Sequence, residues 1–370
     1  MSSSFSSLKT FRKETTPRIL KTLEDFFDNQ LKKAEEKDEV LLETVQLLKE
    51  FTLRGGKRVG PLMVILGYQL AQALSPKKSE GGDIIRAAVS VEIHHLYLLN
   101  LDDMADRDIL RHGGKTLEEY YRSEIFQAWP DKDHHGRTFS SIAGALLNSF
   151  TFELIRTSGF EAEKILAAEG VIIDMLFGDT VAGWQIQYFQ NNESISTVSE
   201  KRFLKGLEFV TSRYKFVGTL LIGLALALDP SDEHFPQLKQ IFTEYGKHVG
   251  IAFQIQDDIL GLFGDPKETG KAVGNDVREG KKTLLIQYAY RNGNAQQRKL
   301  IESALNTPLS QTELEKIQKV VTETGSLAYS HQLAEQHVLA AVTVLEPLAS
   351  EFPQVQVLRE LAQYMIQRSV

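Results

Sequence analysis

Two short acidic runs are the chemically most pointed features of this 370-residue chain. Asp102-Asp103-Met104-Ala105-Asp106 closes an otherwise apolar stretch that includes Val89, Val91, Ile93, Leu96, Leu98 and Leu101. On a helix, Asp102 and Asp106 are i and i+4 and share a face, with Asp103 beside them. Three carboxylates at one point repel one another. They belong either in water or around a hard cation such as Mg²⁺ that takes oxygen ligands. An isolated DDxxD reads equally well as a solvated helix end. A second run, Asp257-Asp258, likewise ends an apolar helical pattern (Phe253-Gln254-Ile255-Gln256), and Asp265 follows beyond Gly261. Two such clusters facing across a helical cavity would hold several Mg²⁺ ions, and through them a diphosphate.

Basic residues gather near the same places. Gly55-Gly56-Lys57-Arg58 opens a helical pattern, the arrangement in which backbone N–H groups and a cation receive an anion. Gly270-Lys271 and Gly280-Lys281-Lys282 flank the second acidic run. Each Gly–Lys pair alone is more often a helix end than a phosphate site. Beside paired carboxylates they point to two anionic groups held near metal. Other candidates are weaker. Asp131-Lys132-Asp133-His134-His135 lies in a polar, Pro-flanked stretch and reads as a solvated loop, pinned by Trp129 beside Pro130; Tyr120-Tyr121 reads as packing. No segment has the form of a nucleophile elbow.

The elements that must position these residues are helical. Apolar residues recur at threes and fours over 17–52, 57–75, 83–107, 139–158, 161–190, 199–228, 235–262, 281–291 and 311–348. Turn material is confined to short stretches, among them 111–115, 130–136 and 264–280. No Pro/Ser linker divides the chain, which predicts a disordered leader over 1–15 and a single all-α domain over 16–370, a bundle of long helices around a central cavity. With 42 Lys+Arg against 49 Asp+Glu the net charge is −7, which argues against nucleic-acid or anionic-membrane binding. No cysteine is present, so disulfides, thiolate zinc sites and a cysteine nucleophile are excluded. No apolar run reaches the ~18 residues of a membrane span, and the N-terminus lacks the apolar core of a secretory signal. The expectation is a cytoplasmic chain without a transmembrane segment.

With these stretches in view, the chain resembles the trans-type isoprenyl diphosphate synthases of the polyprenyl synthetase family, relatives of farnesyl and geranylgeranyl diphosphate synthase. The resemblance rests on Gly55–Arg58, Glu92–Asp106, Leu110-Arg111 and, above all, on Phe253–Leu285, which runs FQIQDDILGLFGDPKETGKAVGNDVREGKKTLL. It implies an all-α homodimeric prenyltransferase of isoprenoid biosynthesis. It also implies Mg²⁺-dependent ionisation of an allylic prenyl diphosphate, with three ions per site, and attack on the carbocation by isopentenyl diphosphate. By position, Asp102, Asp103, Asp106, Asp257 and Asp258 would bind metal. Lys57, Arg58, His95 and His112 would hold isopentenyl diphosphate, and Arg111, Lys271 and Lys281 the allylic diphosphate. Thr211 and Gln254 would line the carbocation. Tyr97, with Leu98, would stop the growing chain at C15–C20. The chain departs from the family pattern at Gly60 and His112, where arginines are usual, at Val210, where a lysine is usual, and at 183–187, where an Asp is missing. Besides elongation, two readings fit these departures: an enzyme that ionises a prenyl diphosphate without elongating it, and a regulatory subunit of a heteromeric synthase. The retained carboxylates weigh against the subunit, because they repel one another in an apo fold.

Overall fold

In the computed structural model the chain is described over residues 5–75, 81–265, 273–348 and 352–367. Among these residues the expected all-α architecture holds, and the one sheet is a two-stranded ribbon, β1 (Leu110–Arg111) paired antiparallel with β2 (Gly114–Lys115). The chain groups into two compact units. Residues 9–170 and 219–235 form the first, and 1–8, 171–218 and 236–370 the second. The crossings fall inside helical runs rather than in linkers, so no Pro or Ser punctuation marks them in the sequence.

In the first unit, α1 (Ser6–Glu35) extends through residues expected to be a disordered leader, and Thr15 is buried. The helical pattern over 17–52 is two helices. Asp38 starts α2 (Glu39–Leu53) by accepting the Val40 N–H at 2.8 Å. Two apolar helices follow, α3 (Val59–Leu74) and α4 (Ile84–Asp106); Asp83 caps α4 by accepting the Ile85 and Arg86 N–H groups. α6 (Lys132–Arg156) packs along α4, and the short α5 (Leu117–Tyr120) precedes it. α6 begins at Lys132, so Asp133, His134 and His135 lie on its first turn, not in a solvated loop. Trp129 packs edge-to-face with Phe126 and His135 there, and Tyr121 is buried.

α10 (Thr219–Ala227) is wholly buried and packs on α3 with bare glycines in the contact. A Cβ at Gly67 would come within 2.5 Å of the Leu220 carbonyl oxygen, and one at Gly223 within 2.6 Å of the Tyr68 nitrogen. The two backbones touch with no side chain between them.

The last helix of the first unit is α7 (Ala162–Val171), and the second takes up the chain at its end with a π-helical segment, Ile172–Asp179, followed by α8 (Thr180–Asn192) and α9 (Glu200–Leu207). A second, longer π-helical segment spans Glu208–Gly218, and Arg213 ties the two through Asp179 at 2.5 Å. Such wide turns are uncommon and tend to occur at functional sites. α11 (Phe235–Phe263) delivers the second acidic run, and a short turn of helix, α12 (Asn275–Arg278), follows it. Beyond lie α13 (Leu284–Asn292), α14 (Ala295–Ala304), α15 (Gln311–Glu323), α16 (Ser326–Val344) and α17 (Pro353–Gln367). The pattern over 311–348 splits at Gly325, whose φ of 75° ends one helix and starts the next. His248 of α11 and His337 of α16 face each other with their Nδ1 atoms 2.8 Å apart. One helical run, 200–227, is long and apolar enough to span a membrane by length and composition, but its most apolar window is 72% buried in the fold.

Candidate active site

The end of α4 carries the first acidic motif. His95, Leu99, Asp102 and Asp106 are half-exposed and spaced i, i+4, i+7 and i+11 along one stripe of a largely buried helix. Leu98, expected to line the growing chain, lies in the core at 3% exposure, and its neighbour Leu99 occupies the stripe. Tyr97 lies off this stripe. Its ring rests on Gly144 of α6, where a Cβ would sit 3.4 Å from ring atom Cδ2, and burial pushes its hydroxyl pKa up. Asp103 is turned inward, 2% exposed.

Arg111 answers these carboxylates. Its Nε donates to Asp103 Oδ1 at 2.7 Å and its Nη2 to the same oxygen, with Asp102 Oδ2 at 3.3 Å and Asp108 Oδ2 at 3.5 Å. Burial pulls the pKa of this guanidinium down, but the three carboxylates outweigh it and push the pKa up. The β1–β2 hairpin presents Arg111 through a two-residue turn, His112-Gly113, with φ values of 50° and 75°. This is the primed geometry that suits the twist of a hairpin. The turn sets the His112 ring against the Gly55-Gly56 backbone, where a Cβ on either glycine would come within 3.6 Å of it. The expected anion loop therefore meets the hairpin, and Lys57 is half-exposed beside it.

Two expectations for this loop change. Arg58 is 4% exposed and donates to Glu92 at 2.5 Å and to the Thr52 carbonyl at 2.6 Å. Its charge serves the interior rather than a phosphate. At Gly60 a Cβ would sit 3.2 Å from Val91 Cγ1, so the arginine usual there would have to displace Val91.

The second acidic motif stands in the other unit, with its own polar chain. Thr211, from the second π-helical segment, donates to Gln254 Oε1 at 2.8 Å, and Gln254 Nε2 donates to Asp258 Oδ1 at 2.9 Å. Asp258 Oδ2 is buried and accepts no hydrogen bond among the described residues. Burial first, then Asp276 and Asp257, push its pKa well above the ordinary carboxylate value. Asp276 went unnoticed in the sequence, although it lies within the Phe253–Leu285 segment. It occupies the space that Gly261 leaves open, since a Cβ there would meet its Oδ2 at 2.8 Å, and it pairs with Lys281 at 3.3 Å. Lys271 lies outside the described residues. Lys282, next to Lys281, is buried on the carbonyls of Asn191 and Gly280.

At Val210 the sequence leaves a lysine missing. Val210 packs against Gly183, and five residues later Lys215 Nζ lies 4.4 Å from the centre of the Phe253 ring. A π-helical turn takes in an extra residue, which makes the register of this segment hard to read by spacing.

These donors suit Mg²⁺. They are hard carboxylate oxygens, and Asp258 keeps one buried oxygen without a hydrogen-bond donor. Among the described residues no three acidic, His or Cys side chains converge into a cage for a cation. That agrees with an ion that relies on substrate phosphates for the rest of its coordination.

An all-α chain with an acidic motif at the end of each of two apolar helices, and a basic side chain paired into each cluster, has the make-up of a diphosphate-handling enzyme. The sequence profile of the polyprenyl synthetase family matches residues 42–324, and the chain belongs to that family of prenyltransferases. It is 29% identical over 330 residues to a geranylfarnesyl diphosphate synthase of Aeropyrum pernix, covering 85% of this chain and 91% of that one. With a geranylgeranyl diphosphate synthase of Saccharolobus solfataricus it shares 30% over 322 residues, covering 85% and 87%. Its fold superposes with a TM-score of 0.86 and 25% identity on a geranylgeranyl pyrophosphate synthase of Corynebacterium glutamicum solved with isoprenyl diphosphate and magnesium, covering 95% and 98% of the two chains.

Proposed function

We propose that this chain is a Mg²⁺-dependent isoprenyl diphosphate synthase that joins an allylic prenyl diphosphate to isopentenyl diphosphate and makes C15–C20 products as a homodimer. The observation that carries this reading is Arg111, a buried guanidinium seated on Asp103 and Asp102, so that carboxylates for a metal and a cation for a phosphate share one helix end. Asp102, Asp103 and Asp106, and separately Asp257 and Asp258, would hold Mg²⁺, which when bound neutralises the departing diphosphate.

The side chains supply the rest. Arg111 and Lys281 bind the allylic diphosphate, as does Lys271 by its place in the family motif. Lys215 is a further cation for the same group. The allylic C–O bond breaks and diphosphate leaves with the electron pair; the double bond of isopentenyl diphosphate attacks the cation to form the new C–C bond, and the resulting tertiary cation loses a proton from C2 of the isopentenyl unit to the released diphosphate, which gives the new allylic double bond. Gln254 holds Asp258 by a charge-assisted hydrogen bond and is itself oriented by Thr211, which fixes polar oxygens around developing positive charge. On the acceptor side Lys57 and His95 remain, with His112 at the glycine loop in place of an arginine. Tyr97 limits chain length with a ring that is backed by Gly144 of α6.

The decisive experiment incubates purified protein with Mg²⁺ and geranyl or farnesyl diphosphate, with and without isopentenyl diphosphate, and identifies every product. Chain-lengthened diphosphates of C15–C20 are expected. Hydrocarbons or alcohols formed without isopentenyl diphosphate would replace elongation by simple ionisation. No turnover without an added second protein would make the chain a subunit. Tyr97→Ala should give longer products, and an unchanged product distribution would take Tyr97 out of the reading.

A further inference from the structure

Arg54 lies two residues before the glycine loop and is not among the residues read above as contacting substrate. It caps the C-terminus of α2, its N–H donating to the Glu50 carbonyl at 3.0 Å. Its guanidinium is 14% exposed and oriented at both edges. Nε and Nη2 clasp the Glu50 carboxylate, while Nη1 donates to the carbonyls of Lys115 at 2.7 Å and Arg111 at 3.2 Å. The fit is close: a Cβ at Gly114 would collide with the guanidinium, so Gly114 is bare where Arg54 lies against the hairpin.

The hairpin needs such a hold. It is a ladder of two residue pairs, far too short to be stable alone. It nevertheless carries Arg111 onto Asp103 and His112 onto the Gly55-Gly56 backbone. We propose that Arg54 is a positioning residue for the reaction. By bonding the carbonyls that bracket the hairpin turn, it fixes Arg111 on the first acidic motif and His112 on the glycine loop, so that both are set for diphosphate before substrate arrives. A guanidinium suits this task because its planar fork reaches a carboxylate and two carbonyls at once, which a lysine ammonium cannot do in fixed geometry. The inference rests on the reading of Arg111 as a diphosphate ligand.

The test measures steady-state kinetics and the binding of inorganic pyrophosphate with Mg²⁺ by calorimetry, for Arg54→Met, Arg54→Lys, Arg111→Gln and the pair Arg54→Met with Arg111→Gln. Arg54→Met should weaken pyrophosphate and raise the allylic KM by roughly tenfold, the value of one charge-assisted hydrogen bond. Arg54→Lys should recover only part of this. In the Arg111→Gln background, Arg54→Met should add less than about twofold, because the group it positions is already gone. Gly114→Ala reaches the same clasp from the hairpin side and should reproduce the loss should Arg54→Met prove unstable. Parent-like binding in both Arg54→Met and Gly114→Ala would overturn the proposal. So would losses that multiply with Arg111→Gln, or full rescue by lysine. If Arg111→Gln itself leaves pyrophosphate binding unchanged, the role given to Arg111 falls, and the positioning role falls with it.

Discussion

The amide of Gln254 links the Thr211 hydroxyl to the Asp258 carboxylate, and Gln254→Leu removes that link. The substitution keeps the volume and removes two hydrogen bonds, one from the Thr211 hydroxyl at 2.8 Å and one to the Asp258 carboxylate at 2.9 Å. The first is a neutral bond of ~0.5–1.5 kcal/mol and the second charge-assisted at ~1.5–3 kcal/mol. Thr211 and Asp258 are both buried, so neither recovers a bond to bulk water. The apolar leucine offsets part of the loss, leaving an apo destabilisation of about 2 kcal/mol. In the working enzyme Asp258 loses the bond that orients it, and the same 2–3 kcal/mol on the transition state lowers kcat/KM roughly 30- to 150-fold. Thr211→Val leaves the Gln254–Asp258 bond in place and should cost only about 1 kcal/mol and fivefold. Urea unfolding and initial rates of chain elongation measure both quantities. If Gln254→Leu stays within about threefold of the parent, the amide does not orient Asp258. If Thr211→Val is the more damaging change, Thr211 acts on substrate directly and the chain from Thr211 through Gln254 is misread.

Three further outcomes follow from the same geometry. Asp102→Asn should cut kcat by ~10³ or more while leaving apo helicity unchanged, because its side chain is a third exposed and meets Arg111 only at 3.3 Å; circular dichroism and turnover separate the two. Arg58→Met should destabilise the fold by ~3–5 kcal/mol because it strands Glu92, and adding Glu92→Leu should restore most of that; a raised substrate KM at unchanged stability would instead return Arg58 to the substrate. The His248–His337 pair makes stability pH-dependent. Burial first, then His248 and Lys247, push His337 down to about 4, and burial lowers His248 against the pull of Glu244. A lowered histidine pKa means that the unfolded chain takes up the proton first. The pair's contribution is therefore whole above about pH 6.5 and fades toward pH 4, an effect of ~1–2 kcal/mol after allowance for partial exposure. Urea midpoints from pH 7.5 to 4.5 should fall less steeply in His337→Leu than in the parent.

Both acidic motifs were legible because a carboxylate at the end of an apolar helix contradicts its surroundings, and one-dimensional spacing is enough to reveal it. The helices were legible for the same reason, as periodicity. What the sequence hid lies at longer range or in irregular backbone. Arg58 beside two glycines and a lysine looks like an anion ligand, and its partner Glu92 stands 34 positions away. Lys215 stands five residues beyond Val210 inside the π-helical segment Glu208–Gly218, where 3.6-residue spacing fails. Asp276 could be related to Gly261 only by folding the chain back, since one supplies a carboxylate where the other leaves space. The break into α1 and α2, by contrast, was available in the Asp38-Glu39 pair, where a long apolar rhythm masked an ordinary cap.

The glycine contact between α3 and α10 sets the tolerance of this protein to change. With backbone touching backbone at Gly67 and Gly223, even one methyl group needs the helices to part, and α10 has no water-facing side toward which it could shift. A saturation library should therefore show two nearly blank rows, at 67 and 223, in helices whose large side chains accept exchanges such as leucine for methionine. At these positions even the smallest substitution does harm, and neither glycine has any chemistry of its own.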